Sequence, residues 1–150
     1  MAHTDAFIIW FVICSGLALA MGGAAERTAA LLQLIALVVS RVLGWLSPNN
    51  YGAVLIQLWA VDTGLLIALY VLAFRANRFW PLWLVGLQTQ SVIVHLLKLI
   101  DLHLLPVGYF AVVNLTAWPM ITLTAIASVR HRHRLKRYGI DPSFRPYSQV

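Results

Sequence analysis

The sequence predicts an all-α integral membrane helical bundle of five transmembrane helices, closed by a basic C-terminal tail. Three observations predict it. Of 150 residues, 61% are hydrophobic and 11% are charged, where a soluble domain holds roughly 45–50% apolar and about 25% charged residues. The apolar residues fall into blocks, each close to the length of about 20 residues that crosses a bilayer core. The charge is uneven: Arg130, Arg132, Arg134, Lys136, Arg137 and Arg145 all lie near the C-terminus of a chain with formal charge +6. A chain of this length is normally one domain. The expected division is a transmembrane bundle over 1–129 and a basic cytoplasmic tail over 130–150.

The first predicted helix covers about 6–21. Its Ala18-Leu-Ala20 resembles a signal-peptide cleavage site, but the preceding Met-Ala-His-Thr-Asp carries no Lys or Arg. A retained first helix is therefore expected. Gly22 to Thr28 reads as a turn, with Thr28 placed to cap the next helix. The second helix, about 29–46, holds one interior charge, Arg41. Ser47-Pro-Asn-Asn-Tyr-Gly52 is the plainest loop, and the third helix follows over about 53–74 with Asp62 near its centre.

Arg75-Ala-Asn-Arg78 is a short positive turn into the fourth helix, about 79–100. Pro81 suits a helix first turn, where its missing N–H is not needed. The fifth helix, about 106–128, starts at Pro106 and should kink at Pro119. Thr116 and Thr122 lie near enough to help satisfy the disturbed backbone there. Gly139 is the expected stop after the basic run, with an extended or disordered end from Asp141.

Five spans put the two chain ends on opposite sides. Arg75 and Arg78 share a side with the basic tail, while Ser47–Gly52, the turn carrying Asp101 and the acidic N-terminus share the other. The orientation that follows is N-terminus outside and C-terminus cytoplasmic. Trp45, Tyr51, Trp80 and Trp83 fall near predicted interfaces; Trp59 and Trp118 do not.

Polarity inside the spans is concentrated in the fourth helix, at Gln88, Thr89, Gln90, Ser91 and His95. An unpaired polar group in hydrocarbon costs several kcal/mol, so these groups should face the bundle. Gln88, Ser91, His95 and Lys98 share one stripe at i, i+3 and i+4 spacing, with Gln90 on another face. On the third helix Leu55, Trp59, Asp62, Leu66 and Tyr70 form a second stripe; on the fifth, Asn114 aligns with Trp118. At about 1.5 Å per residue, Arg41 and His95 lie about 7–8 Å deep, Asn114 about 12 Å, and Asp62, Gln90 and Gln88 about 14–18 Å.

The candidate intramembrane polar site is therefore Arg41, Asp62, Gln88, Ser91, His95 and Asn114. Its plainer meaning is interhelical glue, since polar side chains bond across membrane helices at a net worth of roughly 0.6–2 kcal/mol each. Asp62 leans further toward function, because Asn would join helices at less electrostatic cost. Arg41 is expected to reach outward or to pair with Asp62.

Several chemistries are disfavoured. A bis-histidine haem needs two His on different spans, and His103 shares the helix or exit turn of His95. His131 and His133 alternate with arginine, the pattern of a solvated basic face. Cys14 alone supports neither a disulfide nor a cysteine metal site. No zinc, phosphate-loop or nucleophile–base motif is present, so no enzyme activity and no cofactor are expected.

Nothing in the chain resembles a nucleic-acid reader. The expected partners are the bilayer, other membrane proteins or a second copy of the chain. Anionic lipid headgroups are the expected contacts of Arg130, Arg132, Arg134, Lys136 and Arg137, each contributing roughly 1 kcal/mol near such a leaflet.

The run Arg75-Ala-Asn-Arg-Phe-Trp-Pro-Leu-Trp83, then Gly86-Leu-Gln88, His95 and Arg130-His-Arg-His-Arg-Leu135, resembles a group of small uncharacterised multi-pass proteins of bacterial inner membranes. The resemblance covers a little over half of the chain. It implies a membrane bundle in that membrane and transfers no activity and no site residue. Function is expected to be that of an accessory, assembly or stabilising subunit. The alternative is a small transporter, channel or proton-coupled component that uses Asp62 and His95.

Overall fold

A computed structural model describes residues 2–46, 51–100 and 106–144, with the side chains of 2–4, 51–55, 99 and 106–115 outside the description. It is all-helical: α1 (Ala2–Met21), α2 (Ala24–Leu46), α3 (Tyr51–Arg75), α4 (Trp80–Ile100) and α5 (Pro106–Tyr138). Five helices were expected at these places. Their ends differ from expectation in two instructive cases.

The first is the start of α2, which begins at Ala24 instead of Ala29. Gly22 N–H closes α1 on Ala18 O at 2.9 Å, and Gly23 O already accepts the Arg27 amide at 3.0 Å. The turn thus needs only two residues. Thr28 lies inside α2 and caps nothing; its hydroxyl donates back to Ala24 O at 2.8 Å. Glycine is required at Gly22, where a Cβ would collide with the Ala18 carbonyl oxygen, and another segment crowds Gly23. A Cβ on Gly23 would stand 2.5 Å from Ser143 Oγ and 2.7 Å from the His131 ring.

The second is the end of α5. The helix predicted over about 106–128 runs on through the basic stretch to Tyr138, 33 residues in all. Gly139, at φ +76°, ends it, and its amide returns to Leu135 O at 3.0 Å, the left-handed cap that glycine adopts without Cβ strain. The helix passes through Pro119. Thr122 back-bonds the Trp118 carbonyl at 2.8 Å, not the Leu115 carbonyl from which Pro119 withholds an amide donor.

The helices pack in chain order as a ring. α1 meets α2, α2 meets α3, α3 meets α4, α4 meets α5, and α5 returns to α1 while also touching α2. One core joins Ala25 and Ala29 of α2 to Leu69, Leu72 and Ala73 of α3, Leu84 and Val85 of α4, and Met120 of α5. Another joins Phe11 and Cys14 of α1 to Ile121 and Ala125 of α5. Alanine recurs because small side chains let helix backbones approach closely. Polar bonds cross the same interfaces: Gln33 Nε2 donates to Thr124 Oγ1 at 2.9 Å, and Trp10 Nε1 to Thr122 Oγ1 at 3.0 Å.

Large apolar side chains remain on the outside of every helix, Ile9 and Ile35 among them. Among the described residues, α2 and the part of α3 from Ile56 to Arg75 are long and apolar enough to cross a membrane, and each is only 17% buried in its most apolar window. Asp5–Met21 is apolar but shorter.

Candidate functional site

The structure brings two polar clusters together, at different levels of the bundle. The first lies between α3 and α4 and is built on Asp62. Ser91 Oγ donates to Asp62 Oδ2 at 3.0 Å, and His95 Nε2 lies 2.9 Å from the same oxygen. Gln88 Nε2 donates to the Asp62 backbone carbonyl at 3.1 Å. Gln88, Ser91, His95 and Lys98 are all buried, as one helical stripe requires, while Gln90 is exposed. With Asp62 ionised, His95 Nε2 must carry the proton it shares with Oδ2.

This geometry is not a nucleophile–base relay. A relay would place His95 between the serine and the carboxylate, whereas here serine and histidine converge on one carboxylate oxygen. The arrangement ties α4 to α3 and keeps Asp62 in hydrogen bonds. Beside it on α3, Gln57 Oε1 and Trp59 Nε1 are buried and make no hydrogen bond.

Arg41, also expected in this site, is not brought to it. It is exposed on α2, and among the described residues it forms no ion pair with Asp62. Asn114 lies on α5, where its side chain falls outside the described residues, as do Asp101, His103 and Arg145.

The second cluster sits at the end of the bundle where α1 turns into α2, α3 turns into α4, and α5 ends. Asp141 is its centre, with a side chain only 5% exposed. Arg78 forms an ion pair with Asp141 Oδ1. His131 Nδ1 lies 2.7 Å from Oδ2, and Arg134 Nε donates to both oxygens at 3.1 Å. Chain beyond the helix is held as well: the Asn77 amide donates to Ser143 O at 3.1 Å, and Ala76 pairs with Phe144 as an isolated β-bridge.

Two expectations are corrected here. Residues 141–144, the start of the end expected to be extended or disordered, are docked on the bundle, because Asp141 neutralises cations from two elements; 145–150 lie outside the described residues. His131 is buried, not part of a solvated face, because it continues the inward stripe of Ile121, Thr124 and Ser128. His133, two residues on, is exposed.

Of the five expected lipid-contact residues, Arg130, Arg132, Lys136 and Arg137 are exposed, with Arg137 over the Tyr138 ring at 5.6 Å. Arg134 is instead committed to Asp141. Burial, then the Arg78 charge, lowers the Arg134 pKa from its usual value, with Glu26 acting the other way. Glu26, 1% exposed, also belongs to this end, and its Oε2 has no hydrogen-bond partner.

The sequence offered one usable signal for this cluster. Asp141 is the sole acid in a strongly basic C-terminal stretch, and a lone carboxylate among arginines is a candidate ion-pair centre. Among the described residues, no group of three or more His, Cys, Asp or Glu could hold a metal ion. Comparison of the chain with family models, with curated proteins and with solved structures gives no match.

Proposed function

We propose that the chain is a small multi-pass membrane protein acting through helix–helix contacts, as an accessory, assembly or stabilising subunit of other membrane proteins. One observation carries this reading: large apolar side chains line the outside of the bundle, while Gln33, Gln88, Ser91 and His95 turn inward onto partners in neighbouring helices. α2 and most of α3 pass the length and apolarity of a span with 17% of that window buried. The apolar core helix of a soluble protein would be mostly buried.

The five-span topology extends this reading to α1, α4 and α5. α4 lowers its own hydropathy with Gln88, Thr89, Gln90, Ser91, His95 and Lys98, three of which turn toward Asp62. The orientation, N-terminus outside and C-terminus cytoplasmic, draws support from the charges. Arg27, Arg75, Arg78 and the basic turns of α5 belong to one end of the ring, and the positive-inside rule assigns such an end to the cytoplasm. The resemblance to small bacterial inner-membrane proteins agrees with that setting.

Gentle extraction of the full chain from its native membrane tests the role. Recovery in a stoichiometric complex with another membrane protein is the expected result. A lone homo-oligomer, or recovery in the soluble fraction, would overturn it.

A second reading is favoured by the 2.9 Å contact between Asp62 Oδ2 and His95 Nε2, the two groups a proton-coupled component would use. Asp62→Asn decides between them. Loss of a flux or growth phenotype at unchanged protein level would favour proton coupling; a fall in protein level alone favours the structural role.

A further inference from the structure

At the end of the bundle that carries Asp141, a cleft of about 610 Å³ opens between the α1–α2 turn, the first turns of α2 and the basic turns of α5. Arg27, His131 and Arg132 line it, and Met21, Leu31 and Leu135 form its apolar wall. The cations of this end divide into two sets. Arg78 and Arg134 are held by Asp141, whereas Arg27 and Arg132 form no ion pair among the described residues and are exposed. The start of α2 adds to them, because the first amides of a helix lack intrahelical acceptors and carry its positive dipole end. Glu26, the acid of that turn, is not among the lining residues; its Cβ and Ser128 Oγ both lie close to Gly22, on the side of the turn packed against α5.

The apolar wall does not end at the cleft. Leu31 leads along α2 to Ile35, Val38 and Val42, at i+4, i+7 and i+11, with exposures of 46%, 58%, 52% and 48%. This strip runs away from the basic end. A charged pocket opening onto a continuous apolar strip is the shape of an amphiphile, with an anionic head and a hydrocarbon chain.

We propose that this cleft binds the phosphate of one anionic phospholipid, with Arg27 and Arg132 on the phosphate and an acyl chain along the Leu31–Val42 strip. The proposal rests on the membrane reading above and narrows a diffuse basic surface to one site. A phosphate recognised by two arginines can also come from solution, so the test separates the two sources.

The experiment uses the full chain reconstituted in phosphatidylcholine nanodiscs containing a minority of phosphatidylglycerol, with lipid retention counted by native mass spectrometry after release from the disc. The expected result is one phosphatidylglycerol retained per chain, with retention about 30-fold weaker in Arg27→Gln/Arg132→Gln. Arg130→Gln/Arg137→Gln removes the same charge from exposed residues that do not line the cleft, and should change retention by less than about threefold. Equal losses in the two double variants would overturn the site in favour of a diffuse basic surface. Inorganic phosphate displacing the retained lipid at equal concentration would overturn the lipid assignment. Failure of the chain to enter membranes is a separate result, seen by fractionation before any lipid is counted. Circular dichroism of each variant, with Arg27→Lys as a second variant expected to keep most of the retention, separates loss of the site from loss of fold.

Discussion

At Asp62 a single carboxylate oxygen takes hydrogen bonds from two side chains of the neighbouring helix, Ser91 and His95. In the proposed membrane setting each such bond replaces the alternative of an unsatisfied polar group, yet its net worth stays modest because an unfolded chain in a bilayer also finds partners. The coupling between Asp62 and His95, measured by an Asp62→Ala, His95→Ala double-mutant cycle on bilayer unfolding, should therefore be about 0.6–2 kcal/mol. A coupling near zero would remove the pair from the account of what joins α3 to α4. Gly23 is constrained in another way. Its missing Cβ leaves room for Ser143 Oγ and the His131 ring, which would lie at 2.5 and 2.7 Å from an added carbon. Gly23→Ala should push the 141–144 segment off the turn at a cost of roughly 1–3 kcal/mol, as small-to-large changes in packed sites do. Faster cleavage within the basic turns of α5 by an arginine-specific protease is the measurement; unchanged cleavage would contradict the packing described.

At the scale of elements, α5 and the segment after it behave as one latch. Asp141 reaches Arg78 in the α3–α4 turn and His131 and Arg134 in its own preceding helix. Asp141→Asn removes the charge while keeping the size, and charge-assisted bonds are worth about 1.5–3 kcal/mol where burial limits screening. The Asn77 amide, bonded to Ser143 O at 3.1 Å, should then exchange with deuterium faster, with the interior amides of α3 unchanged. Equal protection in wild type and variant would show that the segment is held by something other than this carboxylate. Much of this element structure was legible in the chain. Breakers at Gly22, Pro81 and Gly139 mark helix ends, and the Gln88, Ser91, His95 stripe points at Asp62 by spacing alone. The latch was not legible, because Arg78 and Asp141 are 63 residues apart and nothing local links them. The length of α5 was misjudged for a related reason. Arg130 to Arg137 reads as a charged run when composition is weighed, but the Ile121, Thr124, Ser128, His131 period continues inward through it. Arg41 takes the outward of its two expected courses, since spacing fixes depth on a helix, not which neighbour stands opposite.

For the whole molecule, the proposed orientation follows from a ring of five helices in chain order, in which α1 starts at one end and α5 finishes at the other. Asp5 and Arg137 are both exposed and lie at those two ends, so they report on opposite sides of the membrane if the count of spans is odd. The chain has one cysteine, Cys14, buried at 2%, and Cys14→Ser provides a background without thiols. In that background, Asp5→Cys should react with a membrane-impermeant maleimide on intact cells, and Arg137→Cys should react only after the membrane is opened. The physical cause is the basic end: Arg27, Arg75, Arg78 and the exposed arginines of α5 would all have to cross the hydrocarbon for the reverse orientation, against a strong bias for cytoplasmic Lys and Arg. Labelling of Arg137→Cys alone on intact cells would reverse the orientation. Labelling of both positions would make the number of spans even, and the ring would then have to hold one of its helices outside the bilayer. α4 would be the first suspect, since its stripe of Gln88, Ser91, His95 and Lys98 puts four polar side chains within the expected span.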